Sequence, residues 1–288
     1  MYPPADLPAG RHVALPGRGT TFVREAGDPA ARHAFFLLHG WTATAALNWF
    51  GAFTPLAALG RVVALDHRGH GDGIRSRTRF RLEDCADDVA ALCGVLGVER
   101  VVAVGYSMGG PVAQLLWRRH RGLVEGLVLC ATARDFVGGR RRSLAVQGVG
   151  TGARFATMAA PSGVRERITE RMLVTRFDDD PLGRWARAEM RRNDLRMLVE
   201  AGVAIGAFTS RDWIGAVDVP TAVVLTRRDL VVPPVRQRRL AAAIPGATVH
   251  PVDGGHDICA AAPERFVPAL VDACRSVVAR TAPAVAVG

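Results

Sequence analysis

Along the chain, short unbroken apolar runs alternate with stretches in which apolar residues recur every three to four positions. The runs "HAFFLLHG", ending near Gly40, "RVVALDHRGHG", whose apolar part ends near Asp66, and "RVVAVGYS", ending at Ser107, read as fully buried strands. Between the second and third, Leu82, Val89, Leu92 and Leu96 fall at helical spacing and Gly97 closes the pattern. After Ser107, "MGGPVAQLLWRRH" reads as a helix with a basic end, and "LVEGLVLCAT" as another strand. The alternation resumes with "PTAVVLTRRD" (strand), "PPVRQRRLAAAIPG" (helix), "ATVHPVDGGH" (strand) and "PERFVPALVDACRSVVAR" (helix). Buried strands interleaved with helices predict an α/β fold, a mainly parallel sheet with helices on both faces.

Between about Ala133 and Val219 the alternation stops. Helix-compatible segments run from Arg167 to Val174, Trp185 to Leu198 and Ala201 to Phe208, with no strand run among them. The pattern predicts a helical insertion over 134–215 in a core made of 1–133 and 216–288.

Composition narrows the function classes. At 288 residues and 49% hydrophobic, the chain is able to bury a full core. The opening "MYPPADLPAG" lacks the basic-then-apolar layout of a secretory signal, so a cytoplasmic location is expected, and the tail "RTAPAVAVG" has the composition of a loose end. Arginine interrupts every apolar stretch before it reaches the roughly 18 residues of a membrane span, so none is expected. The net charge of +10 comes from 37 basic residues, all arginine. They are scattered apart from Arg140–Arg142 and Arg227–Arg228 and accompany no nucleic-acid motif or interleaved aromatics, which argues against a nucleic-acid partner. Cys85, Cys93, Cys130, Cys259 and Cys274 form no C-x-x-C pair and read as small buried apolar residues.

Open parallel sheets bind ligands at the carboxyl ends of their strands, and the reactive candidates fall there. Ser107 stands in "GYSMGG", a strand-to-helix turn in which a serine is forced into the open, while Gly105 and Gly109 let strand and helix approach. With six serines and 31 glycines, random placement yields roughly 0.07 G-x-S-x-G matches, so a plain turn is the weaker reading. A serine hydroxyl needs a base, and the base an orienting acid, in the chain order Ser, Asp or Glu, His. Of the downstream histidines, His120 lies in a basic helix end and His250 within a strand. His256, in the glycine-loosened loop "DGGHDI", is the candidate base. Asp229, just past the strand of Ala222 to Leu225, is the favoured acid, with Asp135 its rival from the neighbouring strand end. Asp253 and Asp257 stand too near His256 along the backbone and read as loop residues. The two N–H donors required by an oxyanion are assigned to Met108, after the serine, and Trp41, in "LLHGWTATA". His39 reads as an organiser of that loop.

Together, "HGW" at 39–41, "DHRGHGDG" at 66–73, "GYSMGG" at 105–110, "DLVVP" at 229–233 and "GGH" at 254–256 resemble the α/β-hydrolase superfamily, in its capped, esterase-like branch. Gly73 stands where that pattern usually has serine, and Arg227–Arg228 where a glycine is frequent before the acid; neither touches the chemistry. The resemblance implies cleavage of a carboxylic ester or thioester. Ser107 attacks the carbonyl, His256 takes and returns the proton, Asp229 orients the imidazole and water releases the acyl group. It implies a small-molecule acyl substrate, no metal and no cofactor, and leaves the oligomeric state open. Cofactor-free haloperoxidase or perhydrolase chemistry and C–C bond hydrolysis use the same triad, and a small-molecule receptor would retain it without turnover. The insertion at 134–215 corresponds to the family's helical cap. Its Met172, Leu173, Trp185, Met190, Met197, Phe208 and Trp213 would line an acyl pocket or, as the more frequent case, form the cap's own core.

Overall fold

The unbroken apolar runs become strands of one sheet in the computed structural model, which describes residues 2–4, 6–137 and 179–281. Its strands are β1 (Gly10–Leu15), β2 (Gly19–Ala26), β3 (Ala34–Leu38), β4 (Arg61–Leu65), β5 (Val101–Tyr106), β6 (Val124–Cys130), β7 (Thr221–Thr226) and β8 (Thr248–Val252). They lie in the order β1-β2-β4-β3-β5-β6-β7-β8. β1, β2 and β4 pair antiparallel, and every other neighbouring pair is parallel. The β1–β2 hairpin has no counterpart in the sequence reading. β1 mixes exposed with buried positions, so it presents no continuous apolar run.

The central strands are buried on both faces, and successive residues feed opposite layers. Phe36 and Leu38 pack with Val89 and Leu92 of α3 (Leu82–Leu96) and with Val112 and Leu116 of α4 (Gly109–Arg119). Phe35 and Leu37 pack with Phe53 and Leu56 of α2 (Phe53–Ala57) and with Phe266 and Leu270 of α9 (Pro263–Val278). Each such side chain contributes about 1.5–3 kcal/mol when removed from water, so a sheet with no polar face requires helices on both sides. Gly97 ends α3 in the left-handed region at φ 64°, as its position after Leu96 predicts. Short helices α1 (Ala45–Trp49) and α8 (Ile258–Ala261) follow β3 and β8, and α7 (Pro234–Ala243) joins β7 to β8. All five cysteines are buried thiols. No helix among the described residues is long and apolar enough to cross a membrane.

Of the segment 134–215, residues 138–178 lie outside the described residues, including the helix expected from Arg167 to Val174 with Met172 and Leu173. The remainder carries α5 (Pro181–Arg191) and α6 (Leu195–Ala207). The break between them falls at 192–194, inside the helix expected from Trp185 to Leu198, and α6 runs through the gap expected at 199–200. The cause is local. The Asp194 carboxylate caps α6 by accepting from Met197 N–H at 2.9 Å, and Asn193 spends its carboxamide on other segments, so neither continues a helix.

The loops that leave β3 and β4 at the carboxyl edge are set by buried polar groups. The Asp66 carboxylate accepts from Ala45 N–H at 2.8 Å and Asp72 N–H at 2.9 Å, tying the two loops together. His39, His67 and His70 cluster in the same loops, with ring centroids 4.5 Å apart and tilted (His39–His67) and 5.2 Å apart edge to face (His39–His70). Both ring nitrogens of His67 and Nε2 of His70 are buried without a partner. Burial, reinforced by neighbouring His70, pushes the His67 imidazole down to about 3; burial pushes His70 to about 4; and burial, with His67 and His70 nearby, holds His39 well below the usual imidazole range. These rings are neutral when folded but take up protons below about 6.5 when unfolded. Their stabilisation is therefore complete above that pH and is lost by about 1.4 kcal/mol per group for each pH unit below it. Asp66, pushed up to about 6 by burial, acts in the opposite sense, since the folded carboxyl protonates first. Three groups oppose one, so the urea midpoint is expected to fall from pH 7 to pH 5, and His67→Phe to make that fall shallower. A midpoint flat over this range contradicts the assignment.

Candidate active site

Ser107 stands between β5 and α4 with φ 50°, in the left-handed region that side chains rarely occupy. Its N–H donates to Cys130 O at 2.9 Å, and its carbonyl accepts from Thr132 Oγ1 at 2.8 Å. The turn closes because of two glycines. A Cβ on Gly105 would run into the Gly109 carbonyl, and one on Gly109 into the Leu38 carbonyl of the next strand.

His256 arrives from the loop after β8. Its Nε2 lies 2.8 Å from Ser107 Oγ, its Nδ1 2.7 Å from Asp229 Oδ2, and its carbonyl accepts from Tyr106 Oη at 2.7 Å. Asp229, in the loop after β7, is 1% exposed. Its Oδ1 accepts from Val231 N–H at 2.9 Å and Val232 N–H at 2.8 Å, and its Oδ2 also accepts from Thr226 Oγ1 at 2.8 Å. An ionised carboxylate only accepts, so Nδ1 carries the proton and Nε2 is left to accept from the serine hydroxyl. The three candidate residues thus form one hydrogen-bonded chain across three strand ends.

The rival acid is engaged elsewhere. Asp135 pairs with Arg211 at 2.9 Å and Arg236 at 2.8 Å; burial raises its carboxyl, but these guanidiniums outweigh it and hold it below the usual range. His120 pairs with Asp87 at 2.9 Å, His250 lies 3.2 Å from Thr248 Oγ1, and Asp253 pairs with Arg228 and Arg265.

Trp41 and Ser107 line the same cavity, about 420 Å³ in volume, and Met108 follows the serine at the N-terminus of α4, where helix amides have no internal partner. The peptide that carries Trp41 N–H is fixed from its other side. Gly40 O accepts from His39 Nδ1–H at 2.8 Å, and His39 Nε2 accepts from His67 N–H at 2.9 Å, which sets the tautomer. In a trans peptide N–H and C=O point in opposite directions, so this bond turns Trp41 N–H away from the histidine. Leu47, Tyr106, Met190, Leu230 and Val231 supply apolar walls. Of the other apolar residues singled out in the insertion, Trp185 stacks on Tyr2, Met197 is fully buried in the core, and Phe208 packs on Trp213, which stacks on Trp117. Sequence reasoning passed over Thr226, Tyr106 and Gln237, whose Nε2 donates to Thr226 Oγ1 at 2.7 Å. They are isolated polar residues in apolar or basic surroundings, with no spacing that ties them to Asp229 or His256.

A family model for the alpha/beta hydrolase fold matches residues 33–263. The AB hydrolase superfamily protein YisY of Bacillus subtilis (strain 168) is 26% identical over 244 residues, 78% of this chain and 83% of that protein. A pimeloyl-(acyl-carrier protein) methyl ester esterase of Neisseria meningitidis is 29% identical over 213 residues, 72% of this chain and 79% of that one. Among solved structures, a hydrolase from Pseudomonas aeruginosa PA01 superposes with a TM-score of 0.76 at 22% identity, covering 92% of this chain and 98% of that one. Sheet order, strand-end loops and the extent of the family match agree: this chain belongs to the α/β-hydrolase fold family.

Proposed function

We propose that the protein is a serine hydrolase that cleaves carboxylic ester or thioester bonds through an acyl-enzyme intermediate. The observation that carries this reading is the continuous relay from Asp229 through His256 to Ser107, 2.7 Å and then 2.8 Å. As Ser107 Oγ attacks the carbonyl carbon, its proton passes to His256 Nε2, and the positive imidazole is stabilised by the buried Asp229 carboxylate on Nδ1–H. The carbonyl oxygen becomes an oxyanion held by Trp41 N–H and Met108 N–H. The imidazolium returns its proton to the departing alcohol or thiol, leaving the acyl group on Ser107. Water, deprotonated by the same imidazole, then attacks that ester and restores the serine.

The apolar cavity suits an acyl chain of modest size, since sites for small ligands occupy roughly 300–1,000 Å³. In this reading the insertion at 134–215, whose Met190 reaches the cavity wall, acts as the cap and helps choose the chain. The Neisseria relative is named for cleaving a methyl ester, which agrees with acyl transfer.

With a chain-length series of p-nitrophenyl esters, Ser107→Ala is expected to lower turnover by about 10³-fold or more; a variant retaining the wild-type rate would sink the proposal. Asp229→Asn keeps the shape but replaces the acceptor facing Nδ1 with an amide, and a loss of about 10²–10⁴ in kcat is expected. Asp135→Asn is expected to stay within about threefold, because its ion-pair partners are Arg211 and Arg236 and not the relay histidine. Equal losses in the two aspartate variants would refute the assignment of the acid.

A further inference from the structure

Residues 41, 42 and 44, in the loop that carries Trp41, are each tied to the α5–α6 pair. Trp41 Nε1–H donates to Leu198 O at 2.9 Å, Asn193 Nδ2–H to Thr42 O at 2.7 Å, and Thr44 Oγ1–H to Glu189 Oε2 at 2.6 Å. The middle bond holds a strained residue. Thr42 has φ 67°, a region costly for a β-branched side chain, by about 1–3 kcal/mol, and occupied only where the surroundings enforce it.

Asn193 is well placed to enforce it. The residue is 9% exposed and sits in the break between α5 and α6, so both helix ends set its position. Its Oδ1 accepts from Gly71 N–H at 2.8 Å while its Nδ2 serves Thr42 O. The orientation of the amide is forced by chemistry, since an N–H only donates and a carbonyl only accepts. Gly71 in turn belongs to the loop anchored by Asp66, so Asn193 bridges the two loops from outside the sheet.

We propose that Asn193 is a positioning residue for acyl transfer. By holding the Thr42 carbonyl it keeps Thr42 in its left-handed conformation and so keeps the Trp41 amide turned toward the oxyanion. The inference rests on the serine-hydrolase reading above. His39 fixes the Gly40–Trp41 peptide from the core side, and Asn193 fixes the peptide that follows Thr42 from the insertion side. Release of the second contact lets Thr42 relax to an ordinary φ and swing Trp41 with it. An oxyanion donor acts on the transition state and not on the bound ester, so the effect belongs in kcat.

The test is steady-state ester hydrolysis by wild type, Ser107→Ala, Asn193→Asp and Arg192→Gln, with thermal unfolding recorded for each. Asn193→Asp preserves size and the acceptor for Gly71 N–H but sets a carboxylate oxygen against Thr42 O. It is expected to lower kcat about 10- to 100-fold with KM within about threefold. Arg192→Gln breaks the ion pairs to Glu189 and Asp72 in the same turn without touching Thr42, and is expected to keep kcat within about threefold. Asn193→Ala, which removes the donor without adding charge, carries the same expectation as the aspartate if that variant does not fold. A wild-type kcat in the Asn193 variants, a rise in KM alone, or an equal loss in Arg192→Gln would overturn the inference while leaving the serine-hydrolase reading intact. Wild-type turnover that survives Ser107→Ala would overturn both.

Discussion

A carboxylate taken almost wholly out of water must be surrounded by donors, and Asp229 sits where several segments converge to provide them. Backbone amides of 231 and 232, the hydroxyl of Thr226 at the end of β7, and the imidazole of His256 all point at its two oxygens. Those donors exist together only if β7, the turn into α7 and the loop after β8 are in register. Loss of one leaves a buried charge under-compensated, at a cost of about 1–3 kcal/mol or more. This one cluster therefore decides where the His256 ring lies, and the ring decides which proton it can accept.

On the other side of the ring the constraint is steric. Ser107 is held in left-handed backbone by the close packing of β5 on α4 and by bonds to Cys130 and Thr132 on the neighbouring strand end. The sheet, buried on both faces, makes that turn rigid. The loop that carries Trp41, the proposed oxyanion donor, is held by buried neutral histidines, the Asp66 anchor and the α5–α6 pair. A donor placed by such indirect contacts needs no reorganisation when charge develops, the condition under which oxyanion stabilisation is effective.

Much of this was legible in the sequence because it is written in local patterns. The apolar runs of β3 to β7 and the helical spacing of α3 report burial directly, and G-x-S-x-G reports a backbone geometry that few residues tolerate. The loop positions of Asp229 and His256 followed from strand ends and chain order. Long-range polar contacts were not legible. Asn193 lies about 150 positions from Thr42 and falls inside the helix expected from Trp185 to Leu198, so neither the break nor its contacts were anticipated. The β1–β2 hairpin escaped because both strands alternate buried with exposed or half-buried positions and carry no apolar run, and Thr226 and Gln237 because a buried hydroxyl or amide has no sequence signature until its partner is known.

The central claim, that Ser107 is an activated nucleophile, is tested most directly by treating the protein with an alkyl fluorophosphonate and measuring intact mass, then mapping the adduct by peptide fragmentation. The account predicts a single adduct on Ser107, formed at neutral pH and absent after urea denaturation, because the hydroxyl is reactive only within the relay. An unmodified protein, or label carried by another residue with Ser107 untouched, would contradict it.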